Sequence, residues 1–162
     1  MTQSFKKAEE IERIGLTYLF ENKLSSKTYS YKLSEVGSYD KFDAYVVGMS
    51  KLKNIDGENK RVHYEYVLEA KVRYKKYSTM ILEKLKVDNI PDGQFMYYVN
   101  FLPDGTYIWK ITPERLKDIP IRCELYKKTT MGNTEVIKKL VYHLDLDDAI
   151  KVNYILTKSN VK

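Results

Sequence analysis

The segment Tyr64-Glu-Tyr-Val-Leu-Glu-Ala-Lys-Val-Arg73 restricts the choice of fold more than any other stretch of the chain. Its side chains alternate with period two, the pattern of a half-buried β-strand. Residues two apart on a strand share a face. Tyr64, Tyr66, Leu68, Ala70 and Val72 therefore form one apolar face that can pack a core. Glu69 and Lys71 stand side by side on the other face.

An acidic residue two positions before a lysine is weak evidence taken alone. With 22 acidic residues and 28 basic ones in 162, mostly lysine, chance alone yields about three such triplets in so charged a chain. Three occur: Glu21-Asn22-Lys23, Glu58-Asn59-Lys60 and Glu69-Ala70-Lys71. The first lies past the apolar part of an expected helix. The second follows Asp56-Gly57, a turn signal. Context singles out the third, which lies inside a long alternating strand.

The surrounding elements follow from pattern. Residues 4–22 predict a helix capped by Ser4, with Phe5, Ala8, Ile11, Ile14, Gly15, Tyr18 and Leu19 at helical spacing. Residues 28–36 predict a short strand, and 41–52 a strand with Phe42, Ala44 and Val46 on one face and Asp43, Tyr45 and Val47 on the other. Asn54 to Asn59 reads as a hairpin loop leading into a strand over 62–73. Ser78 or Thr79 is expected to cap a helix running to about Asn89, with Ile81, Leu82 and Leu85 as its stripe. Strands over 95–102 and 106–111 flank Pro103-Asp104-Gly105, and Thr112-Pro113 opens a short helix. Residues 136–144 look like a strand, and 145–155 read as either strand or helix. This order predicts an α/β domain over 1–162, a mixed sheet flanked by helices.

Composition narrows the partners. The length suits one domain with a real core. The net charge is +6, and residues 60–90 carry eight basic against four acidic side chains, so most of the excess sits there. Such a surface favours a polyanion. A Lys-rich solvated face is the plainer alternative. The 15 tyrosines could stack on bases, although half-buried strand positions account for tyrosine equally well. The single cysteine, Cys123, rules out an internal disulfide and a cysteine cluster, and is read as a core thiol. No stretch reaches the length of a membrane span and no apolar signal region opens the chain, so a cytoplasmic protein without a membrane partner is expected. His63 and His143 lack metal-ligand spacing and are read as structural. Asp145, Asp147 and Asp148 suit a helix N-terminus better than a metal site. No glycine-rich phosphate loop is present in the sequence.

Asp43 gives the Glu69-Lys71 pair its chemical meaning. The midpoint between residues 43 and 69 is residue 56, inside the expected turn. An antiparallel hairpin would make Asp43 and Glu69 near cross-strand neighbours. Two carboxylates that close repel each other unless a cation lies between them, and hard oxygen ligands suit Mg²⁺. An adjacent ammonium can orient a water or a phosphate. The alternative is a strand-face ion pair between Glu69 and Lys71 with Asp43 solvated.

Helix, strand, strand with Asp43, strand with Glu69-Ala70-Lys71, then helix: this order resembles the PD-(D/E)xK nuclease superfamily. The segments Leu68–Arg73, Ile81–Lys86 and Tyr97–Gly105 look like a branch found in phages and Bacteroidetes-type bacteria. Phe42 stands where the family motif often has proline. The resemblance covers about residues 5–111 and leaves 112–162 as a C-terminal α/β extension. It implies a restriction-endonuclease-like fold with an αβββαβ core. It also implies a Mg²⁺- or Mn²⁺-dependent nuclease, acting on DNA in a bacterial host cell or encoded by a phage. Asp43 and Glu69 would be metal ligands with the Ala70 carbonyl, and Lys71 the catalytic lysine. Glu12 on the first helix would point into the site, with Glu9 as the other choice. Lys86 would be a further lysine at the site, and Arg73, Lys75 and Lys76 could bind the nucleic-acid backbone. Specificity would need the extension, a homodimer or a partner protein. The competing reading is a non-catalytic nucleic-acid-binding module, or a phage accessory or virion assembly protein, on the same fold.

Overall fold

The computed structural model describes residues 3–23, 30–38, 40–53, 59–127 and 136–156, without the side chains of 3–5, 49–53, 59–63 and 127. Residues 54–58 of the hairpin loop expected at 54–59 and the His63 side chain lie outside the described residues, while Asn59 begins a strand. The chain is mixed α/β with a predominantly sheet core. It begins with helix α1 (Gln3–Asn22), so Ser4 lies inside the helix and does not cap it. Strands β1 (Ser30–Leu33), β2 (Ala44–Lys53) and β3 (Asn59–Val72) follow as an antiparallel meander.

Residues 78–89 depart from expectation. They form a strand, β4 (Thr79–Glu83), and only then a short helix, α2 (Lys84–Asp88). Burial along β4 alternates, with Met80 and Leu82 inside, while Leu85 is largely exposed. The apolar triplet Met80-Ile81-Leu82 fits either period. β4 pairs with a strand about sixty residues later, and such a tertiary partner overrides local helix preference. The chain continues with β5 (Phe95–Leu102), β6 (Gly105–Ile111) and α3 (Pro113–Leu116), in which Thr112 accepts the Arg115 amide at 3.3 Å. Strand β7 (Arg122–Lys127) had no sequence signal. It is followed by β8 (Val136–Asp145), a 3₁₀ turn (Leu146–Asp148) capped by Asp145, and β9 (Ile150–Val152).

The strands form a six-stranded sheet, β1-β2-β3-β5-β6-β9, and a three-stranded sheet, β4-β8-β7. β3 and β5 run parallel, joined by the crossover that carries β4 and α2. Helix α1 covers one face of the large sheet through Leu16, Leu19 and Phe20 against Ala44, Leu68, Ala70 and Phe101. Gly15 permits this approach, since a Cβ there would sit 2.5 Å from the Phe101 ring. The other face packs Val67, Met96, Tyr98 and Trp109 against Met80, Leu82, Tyr142 and Leu144 of the second sheet. A sheet therefore lies where a flanking helix layer was expected. Phe42 joins this second cluster and not the one containing Ala44 and Val46. β2 begins only at Ala44, so strand alternation does not extend back to Phe42. Cys123 is exposed on β7 and is not a core thiol, because β7 is the outer strand of its sheet.

Candidate active site

The site forms where the β2–β3 ladder ends. Ala44 pairs with Leu68, and the Asp43 amide donates to the Leu68 carbonyl at 3.0 Å. Beyond that point Glu69–Val72 pair with β5 on one side only. The Asp43 side chain fills the open side, accepting the Ala70 amide on Oδ2 at 2.8 Å. Its Oδ1 takes the Arg13 guanidinium at 2.8 Å, and Arg13 also donates to the Ser34 carbonyl at 2.7 Å. Arg13 is a member of this site that the sequence reading did not single out.

Glu69 is 2% exposed. Its Oε1 lies 3.1 Å from Lys86 Nζ and 3.5 Å from Lys71 Nζ. Its Oε2 is buried without a hydrogen-bond partner. Burial and the Asp43 charge raise its pKa to about 7 against the pull of Lys71 and Lys86. Glu12 is buried on α1, and burial likewise raises its pKa to about 7; Lys71 opposes the shift, while Asp43 and Glu69 add to it. Burial alone would lower the Lys71 pKa, but Glu69, Glu12 and Asp43 together lift it above the ordinary lysine value. Four charges from α1, β3 and the residue before β2 thus share one field. Glu9 lies elsewhere, accepting the Gly37 amide at 2.7 Å.

Among the proposed nucleic-acid contacts, Lys86 reaches the site from α2 and donates to the Lys41 carbonyl at 2.8 Å. Arg73 lines the cleft beside Glu69 and Lys71, a space of about 200 Å³ also lined by Glu83, Tyr126 and Lys139. Lys75 is exposed, and Lys76 is 2.8 Å from Asp104 in the β5–β6 turn, away from the cleft lining. Asn100, register partner of Lys71, is fully buried; its Oδ1 meets Arg73 at 3.4 Å and its Nδ2 has no hydrogen-bond partner. Asn100 and Tyr98 read in the sequence as ordinary strand positions. An asparagine inside an apolar strand is the signal that could have flagged Asn100.

Among the described residues no three His, Cys, Asp or Glu side chains are grouped as a ready metal cage, and both Asp43 oxygens are engaged. The donor set nevertheless suits a hard divalent cation. It is all oxygen, with one buried carboxylate oxygen unpartnered and two carboxylates raised chiefly by burial, the Asp43 charge adding to both. No helix among the described residues is long and apolar enough to cross a membrane. Comparisons with protein-family models, with curated proteins and with solved structures each return no match.

Proposed function

We propose that the chain is a metal-dependent nuclease of the restriction-endonuclease-like class, hydrolysing phosphodiester bonds of nucleic acid, with DNA as the expected substrate. The observation that supports this best is the buried Glu69 carboxylate, with one oxygen unpartnered, set beside Lys71 and the Asp43–Ala70 bond. A divalent cation bound by Asp43, Glu69 and the Ala70 carbonyl would supply Lewis-acid stabilisation of the phosphate charge. Lys71 stays protonated because three carboxylates face it, so it can donate to a phosphate oxygen or hold the attacking water. Glu12, with a pKa near neutrality, can take a proton from that water. Lys86 and Arg73 would neutralise phosphates on either side.

Incubation of supercoiled plasmid, single-stranded DNA and RNA with Mg²⁺ or Mn²⁺ tests the reading. Cleavage by the wild type, abolished in Glu69→Ala and reduced at least about a hundredfold in Lys71→Ala, is expected. Equal cleavage by Lys71→Ala refutes the role given to that lysine. The Arg13–Asp43 bond favours the second reading, a non-catalytic binding module in which a guanidinium takes the place of a cation at Asp43. That module would bind nucleic acid without cleaving it at any metal concentration.

A further inference from the structure

The cleft beside Lys71 does not end at Arg73. A second cleft of about 390 Å³, lined by Tyr77, Thr79, Ile81 and His143, shares Arg73 and Ile81 with the first. Arg73 and Ile81 therefore border both clefts, whose walls come from β4 and β8 and, in the first cleft, also from Tyr126 of β7. The Arg73 guanidinium is held by neutral groups, Asn100 Oδ1 at 3.4 Å and Tyr98 Oη at 3.3 Å. Tyr98 in turn donates to the Ile81 carbonyl at 2.7 Å. No carboxylate pairs with Arg73 among the described residues, so its charge is positioned and available. Lys139 lines the first cleft too, beside the Tyr126 ring and ion-paired with Glu83 at 2.7 Å, so a phosphate there would have to take the place of Glu83. Tyr77, 62% exposed, presents a ring at the far end. His143 is fixed there between Glu124 Oε1 at 2.5 Å and Thr79 Oγ1 at 3.1 Å.

We propose that the two adjoining clefts form one groove that carries a single nucleic-acid strand away from the Glu69–Lys71 site, with Arg73 and, once exchanged from Glu83, Lys139 on phosphates and Tyr77 stacked on a base, making single-stranded or frayed ends the preferred substrate. The proposal rests on the nuclease reading for what happens at Glu69, but its binding path stands apart from metal. Recessed reacting groups are reached by unpaired or extruded nucleotides and not by an intact duplex. Cations alternating with aromatic rings are the equipment of single-strand grooves. The second sheet, two of whose three strands come from residues 112–162, thereby gains a role.

Fluorescence anisotropy in EDTA with a labelled 16-nucleotide thymidine strand and a blunt 16-base-pair duplex tests this. The single strand is expected to bind about tenfold tighter or more. Arg73→Gln and Lys139→Gln should each weaken it about tenfold and reduce the salt slope by about 0.7. Tyr77→Ala should weaken it about fivefold with the slope unchanged. Equal or tighter duplex binding, or wild-type affinity in both Lys139→Gln and Tyr77→Ala, overturns the proposal, and neither of these half-exposed positions depends on Arg73→Gln folding. Duplex cleavage without single-strand preference refutes the groove alone. Single-strand preference without metal-dependent cleavage refutes the nuclease reading alone.

Discussion

Asp43 accepts the amide hydrogen of Ala70 at 2.8 Å, the residue between Glu69 and Lys71. This one bond satisfies a backbone donor that β2 leaves open by starting at Ala44, and it fixes a carboxylate at the end of the ladder. The candidate site is thus a consequence of where a strand stops. Arg13 and Lys86 then neutralise what would otherwise be unshielded carboxylates.

Metal-free stability should fall as pH rises from about 5 to 8. Glu12 and Glu69 each have folded-state pKa values near 7 against an ordinary 4.5. Between those values the folded state binds more protons than the unfolded one, so raising the pH favours unfolding. Each group accounts for on the order of 1–3 kcal/mol at most. Thermal melts from pH 5 to 8 should show the decline. Glu69→Gln should flatten it and melt higher than wild type at pH 8. A slope unchanged in Glu69→Gln would mean that Glu69 is not the titrating group.

Arg13→Gln should loosen the fold while tightening cation binding. The substitution removes a part-buried ion pair and the bond to Ser34, at a cost of about 1–3 kcal/mol. It also frees Asp43 Oδ1. Titration of Mn²⁺ should show several-fold higher affinity than wild type; weaker binding would mean that Asp43 is no ligand.

Gly15→Ala should destabilise the protein by about 1–3 kcal/mol, read in urea unfolding, because the new methyl meets the Phe101 ring at 2.5 Å. Glu12 lies one turn before Gly15, so the shift should also disturb the site. Wild-type stability would mean that α1 can slide on the sheet without cost.

β3, β5 and β6 were legible because they are runs rich in aromatic and β-branched residues next to turn signals, a composition that favours strands without help from distant partners. The midpoint at residue 56 likewise anticipated the Ala44–Leu68 register. Misread elements were those decided by distant partners. β4 reads locally as a helix because β8, its pairing strand, lies beyond any local window. β7 carries charged and apolar side chains on an exposed outer strand, so its pattern gives no buried face to detect. Arg13 was invisible because an arginine on a helix says nothing about which carboxylate it will meet.

Calorimetric titration of Mg²⁺ and Mn²⁺ into wild type and Glu69→Ala, at pH 8 where both buried carboxyls are ionised, tests the central claim most directly. The account predicts saturable binding in the wild type and its loss in Glu69→Ala. No binding to either protein, or equal binding to both, would contradict it.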